Sequence, residues 1–424
     1  MAEPNGYGPV EVTVEIDGLE LVAGMLWVHE RGEQSATFRY SNDYLRNPHA
    51  YELDPALALR SGVFQTSGGK GMFNAFGDSS PDRWGQNLMR RHERDRAKTA
   101  SVTPRTLRGA DFLLGVRDDI RQGAIRFREP GSRDYFSSHE TAVPKVIELS
   151  RLLQAVDRYE AGAPQDHDLK DLIDAGGSLG GARPKAAVIT RAGNLAIAKF
   201  PRKGSDDWDV IGWEKLELNL AGKAGLNVAP SELIRVSGRN VLLVDRFERN
   251  QGRRIGFTSA LTMLEASDRE QRSYLEIAEV IQTKSNTVNS NLEQLYRRIV
   301  FSILTGNTDD HLRNHGFVRA GRAWALSPAY DINPNPDSPG RLSTTIDLDS
   351  AEASIDVALS VAQDFRLSPS QARSIVLEVE AATRGWRQEA QDLGLPPGEV
   401  DRMTVAFESD QRRIARAADS GWRR

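Results

Sequence analysis

The chain has 424 residues, 39% hydrophobic and 27% charged, with a net charge of -4 and no cysteine. That length allows about two or three domains with a sizeable core. The absence of cysteine excludes disulfides, thiolate zinc sites and cysteine nucleophiles, and fits a cytoplasmic enzyme. The slight acidity argues against a chain that grips DNA by itself, so DNA contact is expected only indirectly, through a basic partner. No apolar run reaches the roughly 20 residues of a membrane span, and Met1–Asn5 does not read as the start of a signal peptide.

In chain order, Val10, Val12, Val14 and Ile16 alternate with polar residues as a half-buried strand does, and Asp17-Gly18 supplies a tight turn. Leu19 to His29 and Ala36 to Tyr40 read as further strands. Ser80-Pro81-Asp82 opens a helix, with Ser80 as its expected cap. Gly123 to Phe127 is strand-like, and Glu129-Pro130-Gly131-Ser132 marks a boundary. A helix is expected from about Ala142 to Tyr159, then a short one ending at Gly176-Gly177. Two strands, Ala186–Thr190 and Leu195–Phe200, flank the turn Gly193-Asn194. Asp209 to Ala224 is an amphipathic helix stopped by Gly225, and a second hairpin turns at Ser237-Gly238. Beyond about residue 255 helices dominate: Leu292, Leu295, Tyr296, Ile299 and Ile303 recur at helical spacing up to Gly306.

The densest polar cluster, Asn307 to Asn314, follows that apolar helix. Asp309 and Asn314 stand in an Asp-x4-Asn spacing, and Asp331 follows in Tyr330-Asp331. Kinase-like phosphoryl transfer uses such a trio. One Asp takes or orients the hydroxyl proton, while the Asn and the second Asp hold Mg²⁺ by hard oxygens. The alternative is that these residues are turn and cap formers. Spacing selects Asp309 as the catalytic residue, leaving Asp310 solvated or in a supporting role. His311 is assigned equally to nucleotide contact and to holding the loop. Lys199 ends an apolar strand and is the candidate for ATP phosphates, with Glu214, or failing that Glu217, as its carboxylate partner. On its own such a lysine reads as an edge residue facing water. The stretch Gly176–Lys185 is glycine-rich but is no Walker A motif, since Ala182-Arg183 stands where Lys-Ser/Thr is needed. Its backbone can come close to nucleotide phosphates, with Leu179, Gly180 and Gly181 as the candidates, although a Gly-rich turn alone is more often just a turn. Asp245 and Phe247 form a candidate hinge to adenine, though Phe247 reads equally as core.

Taken in order, these segments resemble the HipA family of toxin kinases over roughly residues 10 to 390. Phe76–Gly85 looks like the family's N-terminal signature, followed by Asp111–Gly115, Gly123–Phe127, the Gly177–Lys185 loop, Ala198-Lys199-Phe200-Pro201, Asp245-Arg246-Phe247, Thr308–Asn314 and Tyr330-Asp331. Each match is short; their common order is specific. The resemblance implies an α+β chain with a protein-kinase-like bilobal fold, a small β-rich N-lobe and a helical C-lobe, plus an N-terminal β-rich subdomain. The expected division is 1–135 for that subdomain, 136–250 for the N-lobe and 251–424 for the C-lobe. It also implies ATP and Mg²⁺ as cofactors, a protein serine as acceptor, and an aminoacyl-tRNA synthetase such as glutamyl-tRNA synthetase as target. A HipB-like helix-turn-helix antitoxin is the implied partner. Ser178 is the implied autophosphorylation site, whose added charge of about -1.5 to -2 would expel the loop and switch the enzyme off. Two positions depart from the family pattern: Asp245 where Glu is common, and Asp310 where Gly is frequent. The other readings are a small-molecule phosphotransferase and a catalytically weak corepressor that binds antitoxin.

Overall fold

The computed structural model describes residues 7–417, except 31, 33, 68, 139–141, 177–180, 182, 269, 338–339 and 349. The chain divides into two compact units: Met1–Lys203 with Glu248–Thr258, and Gly204–Phe247 with Ser259–Arg424.

The first unit opens with β1 (Val10–Ile16), β2 (Leu19–His29), β3 (Ser35–Tyr40) and β4 (Phe64–Gln65), closed on the other edge by β5 (Ile125–Arg128). The sheet order is β4-β3-β2-β1-β5. The β1–β2 turn is the expected one, with Asp17 and Gly18 both at positive φ, 53° and 82°. The alternation read in the sequence is what buries one face: Val10, Val12 and Val14 are fully buried. Phe76 packs edge-on against both Phe38 and Phe127, at 5.7 and 5.5 Å between centroids.

Helix α1 (Arg83–Thr99) is capped by Asp82, which accepts from the Gly85 amide at 2.8 Å. Ser80 is not the cap: its hydroxyl donates to the Phe76 carbonyl, within the preceding turn. Trp84 of α1 packs edge-on against Tyr159 of α3. Next come α2 (Gly109–Gly115), α3 (Leu149–Glu160) and α4 (Asp166–Ala175). The expected helix start at Ala142 is displaced to 146–149 because Pro144 biases its neighbour toward extended backbone. Lys145 makes a parallel bridge with Ile189, and the Pro144 carbonyl accepts from the Ile189 amide. β6 (Lys185–Ile189) and β7 (Leu195–Lys199) then form the expected antiparallel hairpin, with Lys185 directly opposite Lys199.

In the second unit, α5 (Val210–Lys223) is capped by Asp209 and followed by Gly225 at φ 79°. β8 (Ser231–Val236) and β9 (Arg239–Asp245) turn at Ser237-Gly238, again both at positive φ. Helix α6 (Tyr274–Lys284) precedes α7 (Val288–Thr305), whose Leu292, Leu295, Tyr296 and Ile299 are fully buried. β10 (Gly316–Ala320) and β11 (Ala323–Leu326) pair antiparallel, and α8 (Pro369–Thr383), α9 (Trp386–Asp392) and α10 (Pro397–Phe407) lead toward the C-terminus. Trp386 stacks on Phe407 with rings 4.5 Å apart.

Candidate active site

The polar loop begins where α7 must stop. Gly306 takes the left-handed conformation (φ 67°), and a Cβ built there would come within 2.9 Å of the Ala406 Cβ. Both facts demand glycine. Asn307 then ties the loop on both sides. Its Nδ2 donates to the Ser302 hydroxyl at 3.0 Å, and its Oδ1 accepts from the Asn333 amide at 3.1 Å. The segment after Asp331 is thereby fastened to the end of α7.

Asp309 and Asp310 are divided by their surroundings. Asp309 lies on the exposed side of the loop. Its carboxyl pKa is nevertheless raised, first by partial desolvation and also by the nearby Asp331, while His311 opposes the shift. Asp310 is only 2% exposed. Its Oδ2 accepts from the Tyr274 hydroxyl, and its Oδ1 from the Ser343 amide at 2.8 Å and, more weakly, the Thr344 amide at 3.4 Å. Its carbonyl accepts from the Thr344 hydroxyl at 2.7 Å. Burial pushes this carboxyl up to about 6, against the pull of those donors. Of the two roles left open for Asp310, solvated or supporting, the structure selects support.

Asn314 donates its Nδ2 to the Asp309 carbonyl at 2.7 Å, which fixes the side-chain amide and leaves its oxygen as the group with metal-binding chemistry. Asp331 sits at φ 54°, in the left-handed region that few non-glycine residues adopt. Its segment is pinned by Arg298, which donates to the Ser327 carbonyl, and by Tyr330, whose hydroxyl donates to the Arg313 carbonyl at 2.7 Å. A small cavity beneath the loop is lined by Arg298, Asn307, Asp310, Asn314, His315 and Asp331, among others. Arg298 is buried and its pKa is lowered to about 10. His315 is buried against Tyr274 and pushed down to about 3 by burial, with the Arg298 charge adding to the effect. The imidazole is therefore neutral.

Asp309, His311, Asn314 and Asp331 thus belong to one loop system in the second unit. Phe247 is there too, its ring 5.6 Å from that of Tyr330 at an interplanar angle of 34°. Asp245 ends β9, half-buried, and Glu214 is buried in α5. Glu217 is not a lysine partner: it is fully buried and neither carboxyl oxygen has a hydrogen-bond partner. Burial raises its pKa well above the usual range, so it stays protonated.

Lys199 lies in the first unit at the end of β7. It is 8% exposed, so it is not an edge lysine facing water. Gly181 is described, exposed at φ 112°. Ser178, Leu179 and Gly180 lie outside the described residues. Sequence reasoning missed Lys185, which leaves the glycine-rich stretch and pairs with Asp82 at 2.7 Å, both side chains about nine-tenths buried or more. It also missed Arg298, Tyr274 and Ser343, and named Asn307 without its tie to Asn333. Their roles arise from contacts 26 to 36 positions apart for the pairs that involve the loop, and no local motif encodes those.

Comparison with known proteins places this arrangement. The model of the HipA-like C-terminal domain matches residues 177–386. Among solved structures, HipA in the complex of Shewanella oneidensis HipA, HipB and operator DNA superposes with a TM-score of 0.65 at 17% identity, covering 97% of this chain and 98% of that one. A looser match is the Helicobacter pylori proinflammatory kinase CtkA, with a TM-score of 0.44 at 15% identity over 57% of this chain and 92% of that one. Residues 177–386 thus match the HipA-like C-terminal domain, and the chain has the α+β, kinase-like fold of HipA along nearly its whole length.

Proposed function

We propose that this chain is an ATP-dependent protein kinase that moves the γ-phosphoryl group of ATP to a serine hydroxyl, releasing ADP. The observation that carries the reading is the grouping of Asp309, Asn314 and Asp331 on one pinned loop system. Asp309 is the exposed carboxylate, suited to orient the serine hydroxyl and take its proton. Asn314 and Asp331 both line one cavity, and an amide and a carboxylate oxygen make a donor set that fits Mg²⁺, which keeps its remaining positions for water and phosphate. Mg²⁺ held there would neutralise charge on the transferring phosphoryl group. Lys199 is assigned to the ATP phosphates with Glu214 as its partner, and Leu179, Gly180 and Gly181 to the phosphate-facing backbone. Asp245, Phe247 and His311 are assigned to the nucleotide. The proposed domain division follows those roles: 1–135, 136–250 and 251–424.

The acceptor is proposed to be an aminoacyl-tRNA synthetase, such as glutamyl-tRNA synthetase, so that translation and growth stop in the cytoplasm. The proposed partner is a HipB-like helix-turn-helix antitoxin, a reading supported by the HipB and operator DNA in the Shewanella complex. Self-inactivation at Ser178 completes the cycle.

Intact-mass and phosphopeptide analysis after phosphatase treatment and incubation with Mg-ATP tests this. Wild type is expected to gain one phosphate at Ser178. Asp309→Ala is expected to be slower by about 10²–10⁴ if the carboxylate acts as a general base. Full transfer by Asp309→Ala, or no phosphate in wild type that demonstrably binds ATP, would overturn the assignment.

A further inference from the structure

Helix α1 buries Trp84, Gly85, Leu88, Glu93 and Ala97 in the first unit. Its solvent side carries Arg83, Asn87, Arg90, Arg94 and Lys98, all exposed. Their spacing of 4, 3, 4 and 4 residues puts them on one face. The two acids of the helix are already engaged: Glu93 holds Arg96 at 2.9 Å and Asp95 holds Arg91 at 3.0 Å. Arg90 bonds only to the neutral side chains of Asn87 and Gln86 and lies over the Phe112 ring. Among the described residues Arg83, Arg90, Arg94 and Lys98 have no ion-pair partner. A chain of net charge -4 thus concentrates four uncompensated cations along one helix face.

We propose that this face of α1 is a docking surface for the phosphate backbone of a nucleic-acid duplex. From Arg83 to Lys98 the stripe runs about 22 Å at 1.5 Å per residue. Duplex DNA presents one charge per roughly 1.7 Å of axis, so about 13 phosphates fall within that length. A regular row of cations along a helix whose opposite face is held in the protein core matches such a backbone, and contacts of that kind position a protein without reading sequence. An acidic protein surface fits less well, because the stripe offers no exposed aromatic or apolar residue to form a dry interface core. A membrane surface fits less well again, since the apolar face of the helix is committed to the protein core and has nothing to insert. This surface is independent of the kinase reading and stands in addition to any DNA contact made through a partner.

The test is fluorescence anisotropy of a labelled mixed-sequence duplex of about 20 base pairs with the full chain, over a salt series from about 0.05 M upward. Wild type is expected to bind at the low-salt end. The triple variant Arg90→Gln/Arg94→Gln/Lys98→Gln is expected to lower the slope of log K against log salt by about 2.7, at 0.9 per lost contact. The three sites are exposed and glutamine is a good helix former, so circular dichroism should match wild type. A control triple of equal charge change at other exposed positions, Arg235→Gln/Arg322→Gln/Arg366→Gln, is expected to keep the wild-type slope. The proposal is overturned if wild type fails to bind the duplex, if both triples lose the same slope, or if labelled polyglutamate or anionic phosphatidylserine vesicles bind as tightly as the duplex.

Discussion

The hydroxyl of Tyr274 donates to Oδ2 of Asp310, and through that bond the first turn of α6 holds the loop that carries Asp309. The same turn is tied again by its backbone, with the Tyr274 amide donating to the Thr345 carbonyl at 2.8 Å. Asp310 therefore joins three segments that the chain brings from separate places. Tyr274→Phe keeps the ring and removes one donor from a buried carboxylate. It should cost about 1–3 kcal/mol, read as a lower urea midpoint with unchanged slope. Phosphoryl transfer to Ser178 should slow with it. An unchanged midpoint would show that Asp310 is held well enough by Ser343 and Thr344 alone.

The pH dependence of this region follows from two groups that oppose each other. Asp310 titrates at about 6 in the folded chain against an ordinary 3.8, so the folded state keeps a proton that the unfolded state gives up. Its contribution to stability falls as pH rises between about 4 and 6. His315 titrates at about 3 against 6.5, so the unfolded state takes a proton that the folded state refuses. Its contribution rises with pH over the same window. Each slope is at most about 1.4 kcal/mol per pH unit. Relative to wild type, Asp310→Asn should make stability climb with pH between 4 and 6, and His315→Gln should make it fall. Denaturation at several pH values checks this, and parallel profiles for all three proteins would contradict it.

Glu217 carries a different cost. Its buried carboxyl stays protonated in the fold, while the hydroxyl of the nearby Thr305 is already donated to the Phe301 carbonyl. In the unfolded chain the acid ionises above its ordinary 4.5, so stability drains away as pH rises. Glu217→Gln removes that titration without changing the shape of the side chain. Its Tm should exceed that of wild type at pH 8, by a margin that shrinks toward pH 5. A lower Tm at pH 8 would mean that the carboxylic acid makes a contact the amide cannot replace.

Gly306→Ala should be among the more harmful single changes near the site. The left-handed backbone costs an L-residue about 1–2 kcal/mol, and the new methyl group would meet Ala406 at 2.9–3.0 Å. Ala406→Gly in the same chain should recover the part of the clash made by the Ala406 methyl and leave both the contact with the Ala406 Cα at 3.0 Å and the left-handed strain. Chemical denaturation of the two single variants and the double variant separates them. Full recovery would assign the whole effect to the clash.

Local pattern by itself determined much of this molecule. Period-two alternation marked β1, Asp17-Gly18 and Ser237-Gly238 marked two hairpin turns, and the helical spacing of Leu292, Leu295, Tyr296, Ile299 and Ile303 marked α7 and its stop at Gly306. These signals are legible because a strand or a helical turn involves only neighbours a few positions apart. One local signal misplaced a boundary: Ser80 read as the cap of α1, and Asp82, two positions on, is the residue that accepts from the Gly85 amide. The tertiary structure decided what no neighbour could. It turned Asp310 inward and left Asp309 outside, put Asp331 into a left-handed conformation, paired Lys185 with an aspartate 103 positions earlier, and sealed Glu217 in the core as a neutral acid. Burial and charge pairing depend on groups that arrive from distant parts of the chain, so the chemistry of adjacent, identical residues separates only once the chain has folded.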